Sequence, residues 1–427
     1  MNLKKKICMY IDDKRDDILK LCSDMVKIPS ENPPGDMSEI ASFVRGYLED
    51  RGFAVEADEP EKGRISLVTK MGEAKEPALI LNGHMDVVPA GDRERWDFPP
   101  YCGELREGKI LGRGATDMKG GLASLIAAFT AISEVAGDLP GTLILTAVPD
   151  EETGGQYGSQ WLVETGEVRG DACIIGEPTS LVGSFVGEKG LCWLKLSSKG
   201  VPAHGSLPML GENAIEKLVA AFPIVRMVEK EEVETIQGVQ EVIETSKGFY
   251  RMMLANKGVT DEARFESIAA ALDHSTVNIG LIKGGSKINI VPESCYAEVD
   301  VRVPSGTTPA RVKDRLVGLL REKGLVDIEC ELLMGSNPTY TLTSEMIYTL
   351  LNRNVKEVIG IELKPLFVTG ATDGRFFRLG GMPAINYGPG ELALAHAYNE
   401  YVRADDVIRA AKAIAGTIVD FFYRELG

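Results

Sequence analysis

The chain has 427 residues, of which 44% are hydrophobic and 26% are charged, the balance of an ordinary globular protein. That length exceeds one ordinary core and favours two domains, or a large domain with an insertion. The formal net charge of −16 argues against nucleic acid or an anionic membrane as the main partner.

The cysteines and the amino terminus indicate a cytoplasmic location. Seven cysteines are scattered along the chain, an odd number without any Cys-x-x-Cys, which is typical of a reducing compartment. The apolar run from Ile7 to Ile11 is too short for the core of a signal peptide. No stretch approaches the length that a membrane span needs, so we expect a soluble protein.

The first part of the chain alternates between two hydrophobic periodicities. Apolar residues at helical spacing predict helices over residues 12–28, from Ile40 to Gly52, and over residues 122–132. Short apolar runs predict buried strands at residues 65–69, 78–81, 142–148 and 172–175. Strands that alternate with helices favour an α/β domain built on a mostly parallel sheet.

Acidic residues and a histidine follow these predicted strands. His84 and Asp86 come after the strand at 78–81, Glu151 and Glu152 after the strand at 142–148, and Glu177 after the strand at 172–175. Sheets of this kind carry their sites at the carboxyl ends of the strands. Each segment alone could be a polar turn, but carboxylates gathered on one rim repel each other unless a cation lies among them.

Asp117 stands a few residues before the predicted helix at 122–132. A carboxylate there is favoured by the free backbone amides of the helix and by its dipole. The residue could therefore be a plain helix cap, or it could join the carboxylates at the strand ends.

The pattern changes after residue 186. Residues 296–303 alternate between apolar and polar side chains, which is typical of a half-exposed antiparallel strand. Further strands are predicted at 191–198, 276–282, 287–291 and 326–333, with helices at 212–227, 263–272 and 308–323. We therefore predict a catalytic domain in two parts, residues 1–186 and 334–427, interrupted by an inserted α+β domain at residues 187–333. In the second part we expect a helix near 343–358, strands at 366–369 and 384–387, and a helix at 404–423.

Six motifs in order cover nearly the whole chain: Gly83-His84-Met85-Asp86, Gly112-Arg113-Gly114-Ala115-Thr116-Asp117, Asp150-Glu151-Glu152-Thr153-Gly154-Gly155, Gly176-Glu177-Pro178-Thr179, Ala203-His204-Gly205-Ser206, and Gly388-Pro389-Gly390 with His396. Together they are very specific. The chain resembles the metal-dependent M20 peptidase and amidohydrolase family, which includes acetylornithine deacetylase and succinyl-diaminopimelate desuccinylase.

The resemblance implies a catalytic domain that binds two zinc ions, for which cobalt or manganese could substitute. The ions would be bridged by Asp117 and by a water or hydroxide. The remaining ligands would be His84 and Glu177 at one ion, and Glu152 and His396 at the other. Carboxylate and imidazole are ligands that suit zinc.

Two further residues have implied roles in catalysis at this centre. Glu151 would act as the general base and move the proton to the leaving amine. Asp86 would hydrogen-bond His84 and fix its tautomer.

The inserted domain is implied to act as a lid and dimerisation domain. In dimeric family members the histidine that matches His204 reaches the partner's active site, so we expect a homodimer; an ordinary surface histidine is the alternative. Asn289 and Arg302 are implied to hold a substrate carboxylate or the oxyanion, although Arg302 could simply be solvated. The segment with Gly370 and Arg375 is implied to bind an anionic group of the substrate.

One departure from the family bears on the substrate. Desuccinylases typically carry paired arginines before a glycine at the start of the inserted domain, where this chain has Gly187-Glu188-Lys189-Gly190. A succinyl carboxylate would find a poorer partner there. The stretch at residues 228–274 is longer than in compact desuccinylases and receives no role from the sequence.

These observations predict an enzyme that hydrolyses the C–N amide bond of an N-acyl amino acid, with the acetylornithine type of deacylase as the leading candidate. A carboxypeptidase or dipeptidase with the same machinery is the alternative. A non-catalytic binding member of the family is a third hypothesis, but it would show damaged ligand or base positions, and all seven positions are intact.

Overall fold

The computed structural model describes residues 2–72, 76–256 and 258–423. The chain forms two compact units. The first comprises Met1–Val186, Thr341–Leu366 and Thr372–Gly427, and the second comprises Gly187–Tyr340 and Phe367–Ala371. The short piece Phe367–Ala371 thus belongs with the unit that the middle of the chain forms.

The secondary structure alternates along the chain. The helices are α1 (Leu3–Asp13), α2 (Arg15–Lys27), α3 (Ser38–Glu49), α4 (Gly120–Ala136), α5 (Ser159–Thr165), α6 (Ala214–Val225), α7 (Gln240–Asn256), α8 (Glu262–Asp273), α9 (Pro309–Glu322), α10 (Met346–Ile359), α11 (Gly374–Leu379) and α12 (Ala404–Phe422). The strands are β1 (Val55–Glu61), β2 (Arg64–Met71), β3 (Ala78–His84), β4 (Leu105–Arg106), β5 (Lys109–Leu111), β6 (Thr142–Val148), β7 (Ala172–Ile175), β8 (Gly183–Glu188), β9 (Gly190–Lys199), β10 (Thr276–Gly284), β11 (Ser294–Val303), β12 (Glu329–Ser336), β13 (Thr339–Tyr340), β14 (Lys364–Val368), β15 (Ala384–Asn386) and β16 (Tyr401–Arg403).

The first unit is built on a large mixed sheet whose strands run in the order β1-β2-β6-β3-β7-β15-β8. The four central strands β6, β3, β7 and β15 are parallel to one another, and the outer pairs are antiparallel. In the register, His84 lies opposite Val148 and Asn82 lies opposite Ile175. The carboxyl ends of β3, β6 and β7 therefore lie at one edge of the sheet.

Helix α4 packs in the middle of the first unit, against α12, α1 and α2. Contrary to the expectation from the sequence, the stretch Ala115–Ala136 is long and apolar enough to cross a membrane by length and composition alone, but 83% of its most apolar window is buried inside the protein. Burial on all sides by other helices and the sheet is what an all-round apolar helix in a protein core requires.

The second unit contains a four-stranded antiparallel sheet in the order β10-β11-β9-β12. Leu194 of β9 and Val299 of β11 are buried in one hydrophobic cluster with Leu218 of α6 and Leu316 of α9, so helices cover one face of this sheet. A mixed sheet with a parallel centre in one unit and a separate antiparallel sheet in the other confirm the predicted fold class.

Two predicted elements differ from the observed ones. The strand at 287–291 is wrong, because the segment closes into a turn in which Ile290 N donates to Lys287 O at 3.2 Å and the side chain of Ile288 is fully exposed. Of its three apolar residues, Ile288 and Ile290 are exposed and Val291 is buried, so the segment does not form a buried strand. The stretch at 228–274 holds two helices, α7 and α8, of which the sequence predicted only the second.

Candidate metal centre

Four side chains of the first unit converge around the carboxylate of Asp117. Its Oδ1 lies 3.3 Å from Nε2 of His84, and its Oδ2 lies 3.2 Å from Nε2 of His396. The same His396 nitrogen is 3.0 Å from Oε2 of Glu152, and the His84 nitrogen is 3.8 Å from Oε1 of Glu177. The structure thus brings together the five residues that the sequence predicted as ligands, with one oxygen of Asp117 facing each histidine.

Strand register explains how two of these residues meet. His84 is the last residue of β3, and Glu177 stands two residues beyond the end of β7. Because Asn82 lies opposite Ile175, Glu177 is brought level with His84 at the edge of the sheet. The ligand atoms of His84, Glu151 and Glu177 lie within 4.8 Å of one another, as do those of His84, Asp117 and Glu152.

Asp117 does not cap a helix. Helix α4 begins at Gly120, and no side chain accepts a hydrogen bond from its first amides as an N-cap would. Asp117 instead lies in the turn between β5 and α4 and directs its carboxylate toward the two histidines. The alternative of a plain helix cap is therefore wrong.

Asp86 contacts His84 through its backbone carbonyl and, at a longer distance, through its carboxylate. Nδ1 of His84 lies 2.9 Å from the backbone carbonyl of Asp86 and 3.4 Å from its carboxylate. Because a carbonyl only accepts, this contact places the proton on Nδ1 and leaves Nε2 free to bind a cation. The Asp86 carboxylate accepts hydrogen bonds from the backbone amides of Glu151 and Glu152 at 3.1 and 3.2 Å and from Nδ2 of Asn32 at 2.8 Å.

Burial and mutual repulsion dominate the electrostatics of the centre. Desolvation, reinforced by neighbouring carboxylates, raises the pKa of Glu151, Glu152 and Glu177. Hydrogen bonds to Asp117 and Glu152 raise the pKa of His396 to about 10. Without a cation, the glutamates and His396 therefore keep their protons more readily, and a bound cation would supply the same positive charge.

The donor set fits divalent cations. Oε1 of Glu152 and Oε1 of Glu177 are buried and have no hydrogen-bond partner, although a buried polar atom without a partner is costly. Both oxygens belong to side chains of the cluster of imidazoles and carboxylates, and such ligands suit zinc and similar metals. A pair of cations would satisfy the unpartnered oxygens and offset the repulsion among the carboxylates.

Four other predicted site residues lie in the second unit. His204 is exposed, and its Nδ1 lies 2.7 Å from Oγ of Ser206. Nε of Arg302 donates to Oδ2 of Asp300 at 3.1 Å, so this arginine has an acidic partner on its own strand. Asn289 and Gly370 are exposed to solvent. The roles of these four residues stay predictions.

Arg375 belongs to the first unit and is buried. Its Nη2 donates to the carbonyl of Gly154 at 2.7 Å, and its Nη1 donates to the carbonyl of Thr372 at 2.9 Å. These bonds hold the turn that follows Glu152, so the observed contacts of Arg375 are structural. A contact with an anionic substrate group stays a prediction.

The sequence reasoning assigned no role to several buried polar residues around the centre. Asn32, in the proline-rich loop, holds Asp86, and Asp373 accepts from Oγ of Ser159 at 2.7 Å. Arg113 and Glu400 form a buried ion pair. Arg113 lay inside a quoted motif and could have been singled out, whereas nothing in the local pattern marks Glu400.

Comparison with known proteins identifies the family. A model of the peptidase family M20/M25/M40 matches residues 80–420. This chain belongs to that family. It is therefore a metal-dependent amide hydrolase, as the sequence predicted. The proteins that resemble this M20 chain differ in their substrates.

Three similar proteins illustrate the range of activities described for such relatives. A probable succinyl-diaminopimelate desuccinylase of Staphylococcus epidermidis is 29% identical over 398 residues, which are 91% of this chain and 94% of that protein. The M20 family metallo-carboxypeptidase Sso-CP2 from Sulfolobus solfataricus superposes with a TM-score of 0.77 at 21% identity, over 94% of this chain and 98% of that one. Bacillus subtilis YXEP, described as a dinuclear metal binding peptidase from the M20 family, gives a TM-score of 0.65 at 13% identity, over 96% and 99% of the chains.

The raised pKa values predict how pH affects stability without metal. The folded protein holds protons on His84, His396 and the glutamates more tightly than the unfolded chain does. The stability from the histidines is fully present below their unfolded pKa of about 6.5 and is lost as pH rises toward the folded value. The melting temperature of chelator-treated protein should therefore fall as pH rises from about 6 to 9.

Excess zinc should reverse that trend, since cation binding needs deprotonated ligands and stabilises only the folded state. Thermal unfolding at four pH values, with chelator or with zinc, measures both slopes. A melting temperature that rises with pH in the chelator-treated protein would contradict the ligand cluster.

Proposed function

We propose that this chain hydrolyses the amide bond of an N-acyl amino acid with the help of two divalent cations, zinc in the first place and cobalt or manganese as substitutes. The observation that carries the proposal is the position of Glu151. Its carboxylate lies within 4.8 Å of the ligand atoms of His84 and Glu177, on the same turn as Glu152. A carboxylate so placed can serve an attacking water without being consumed as a ligand.

We assign the cations to two sets of ligands that share Asp117. His84 and Glu177 would hold one cation, and Glu152 and His396 the other. When bound, such a pair acts as a Lewis acid and lowers the pKa of a water to about 7. The residues of the chain supply everything else: placement of the cations, placement of the base, and exclusion of bulk solvent from a buried edge of the sheet.

Glu151 is the proposed general base. It accepts one proton from the attacking water and delivers that proton to the nitrogen of the leaving amino acid. The Glu151 carboxylate is thereby regenerated at the end of each cycle. Desolvation raises its pKa, which brings a carboxylate closer to the pH at which proton transfer in both directions is efficient. Asp86 positions the base, because its carboxylate accepts a hydrogen bond from the Glu151 amide.

Hydrolysis of short peptides is the second candidate function. The contacts of Lys189 favour a substrate whose acyl group carries no carboxylate, which both candidates allow. Nζ of Lys189 donates to the carbonyls of Ala271 and His274 at 2.8 and 2.6 Å and is buried. This lysine therefore caps the end of helix α8 and is not free to pair with a succinyl group. Both an acetylated amino acid and a dipeptide satisfy that condition.

Replacement of the base tests the mechanism. Glu151→Gln keeps the size of the side chain but removes its ability to accept a proton, so kcat should fall by about 10²–10⁴-fold while cation binding persists. Turnover with an N-acetyl amino acid and cation stoichiometry by calorimetry are the two measurements. Glu164→Gln, which changes an exposed glutamate of α5, is the matched control. Near-normal turnover in Glu151→Gln would remove this residue from the mechanism.

A substrate panel tests the acyl group. We expect kcat/KM for N-acetyl amino acids to exceed that for N-succinyl amino acids by at least about tenfold. The reason is that Lys189, the cation of the Gly187–Gly190 segment, is bonded to backbone carbonyls and cannot pair with a succinyl carboxylate. Dipeptides complete the panel, with zinc, cobalt or manganese added in turn. Preference for N-succinyl substrates would overturn the acyl-group assignment, and preference for dipeptides would replace the deacylase by the peptidase.

We also propose that the enzyme is a cytoplasmic homodimer in which His204 serves the partner subunit's active site. The exposed position of His204 supports the shared site. The unpaired cysteines of the described residues support the cytoplasmic location. His204→Ala should lower kcat and leave cation binding and solution mass unchanged. A fully active species with the mass of one chain, measured by light scattering, would exclude the shared site.

A further inference from the structure

Arg113 and Glu400 form an ion pair in the interior of the first unit. Nη1 of Arg113 lies 2.5 Å from Oε2 of Glu400, and their side chains are only 4% and 0% exposed. For comparison, the pair between Arg403 and Glu391, which belongs to the same segment of the chain, is about half exposed on both sides. Burial of two charges is expensive unless further hydrogen bonds satisfy them, so the remaining contacts of this pair show what it holds.

The second oxygen of Glu400 is bonded to the backbone that carries Asp117. Oε1 accepts hydrogen bonds from the amides of Thr116 and Asp117 at 2.9 and 3.1 Å. The hydroxyl of Thr116 donates to the carbonyl of Tyr401 at 2.6 Å. The turn before α4 is therefore fixed from the side of the Glu400 segment, and with it the carboxylate that faces both histidines.

Arg113 holds the loop that carries His396. Its Nη1 donates to the carbonyl of Ala397 at 3.1 Å, and its Nη2 donates to the carbonyl of His396 at 3.4 Å. His396 has a φ of +61°, a conformation that residues other than glycine adopt only when the surrounding structure holds them. The guanidinium supplies two of the contacts that hold it.

We propose that the Arg113–Glu400 pair is a positioning pair on which the cation site of Glu152 and His396 depends more than the site of His84 and Glu177 does. One buried charge pair holds the backbone of Asp117, which the two sites share, and of His396, which belongs to the site of Glu152 alone. His84 and Glu177, in contrast, are carried by the ends of β3 and β7. Loss of the pair should therefore weaken the site of His396 more than the site of His84. The inference rests on the proposed pair of cations.

Glu400→Gln is the direct test, because it keeps the shape and the acceptor oxygen but removes the charge that holds Arg113. Chelator-stripped protein is titrated with cobalt, and calorimetry gives the stoichiometry and affinities while visible absorption reports the ligand geometry. Wild type should bind two cobalt ions. In Glu400→Gln one of the two sites should lose about 10–100-fold in affinity, the range known for residues that orient metal ligands, while the other site changes little.

Two variants separate positioning from folding. Glu391→Gln removes the exposed carboxylate that pairs with Arg403, in the same segment, and should bind both cobalt ions as wild type does. If Glu400→Gln does not fold, as judged by circular dichroism, the double variant Arg113→Met with Glu400→Gln removes both buried charges and should fold, again with one weakened site.

The outcomes are distinct. A folded Glu400→Gln with two sites of wild-type affinity, or with both sites weakened equally, would overturn the proposed dependence. Wild-type protein that binds fewer than two cobalt ions would overturn both this inference and the proposed centre. If wild type binds two ions and Glu400→Gln loses one but neither hydrolyses N-acyl amino acids, only the proposed substrate fails.

Discussion

The edge of the parallel strands imposes the constraint on which this structure depends. Strands β3, β6 and β7 end side by side, and each delivers an acidic residue or a histidine to the same place. Burial makes the like charges there costly, which is visible in the raised pKa values of Glu151, Glu152 and Glu177. Such a cluster is stable only when positive charge offsets the repulsion. The buried oxygens of Glu152 and Glu177 that have no hydrogen-bond partner mark the place for that charge.

Buried carboxylates near this edge organise the backbone. Asp86 accepts from the amides of Glu151 and Glu152, and Glu400 accepts from the amides of Thr116 and Asp117. Charge-assisted bonds of this kind are stronger than neutral ones, and each fixes a turn whose own side chains face the cluster. Negative charge thus serves two purposes here, since some carboxylates form the cluster and others hold the turns that present it.

The sequence predicted the cluster better than its supports, for a physical reason. His84, Glu152 and Glu177 follow short apolar runs, so a local pattern reveals both the strand and the polar residue at its end. Glu400 and Arg375 act through bonds to the backbone of distant segments, and such bonds leave no periodic signal in either partner. The strand predicted at 287–291 is wrong because two of its three apolar residues are exposed, which composition alone does not reveal.

The stretch at 228–274, which the sequence left without a role, anchors two other parts of the second unit. Oγ of Ser246 in α7 accepts from the amide of Phe367 at 2.7 Å, and the last carbonyls of α8 accept from Nζ of Lys189. The amide of Lys189 in turn donates to the carbonyl of Val368 at 3.1 Å. These bonds explain why Phe367–Ala371 belongs to the second unit although it is remote in sequence, and why a cation at the start of that unit serves the fold.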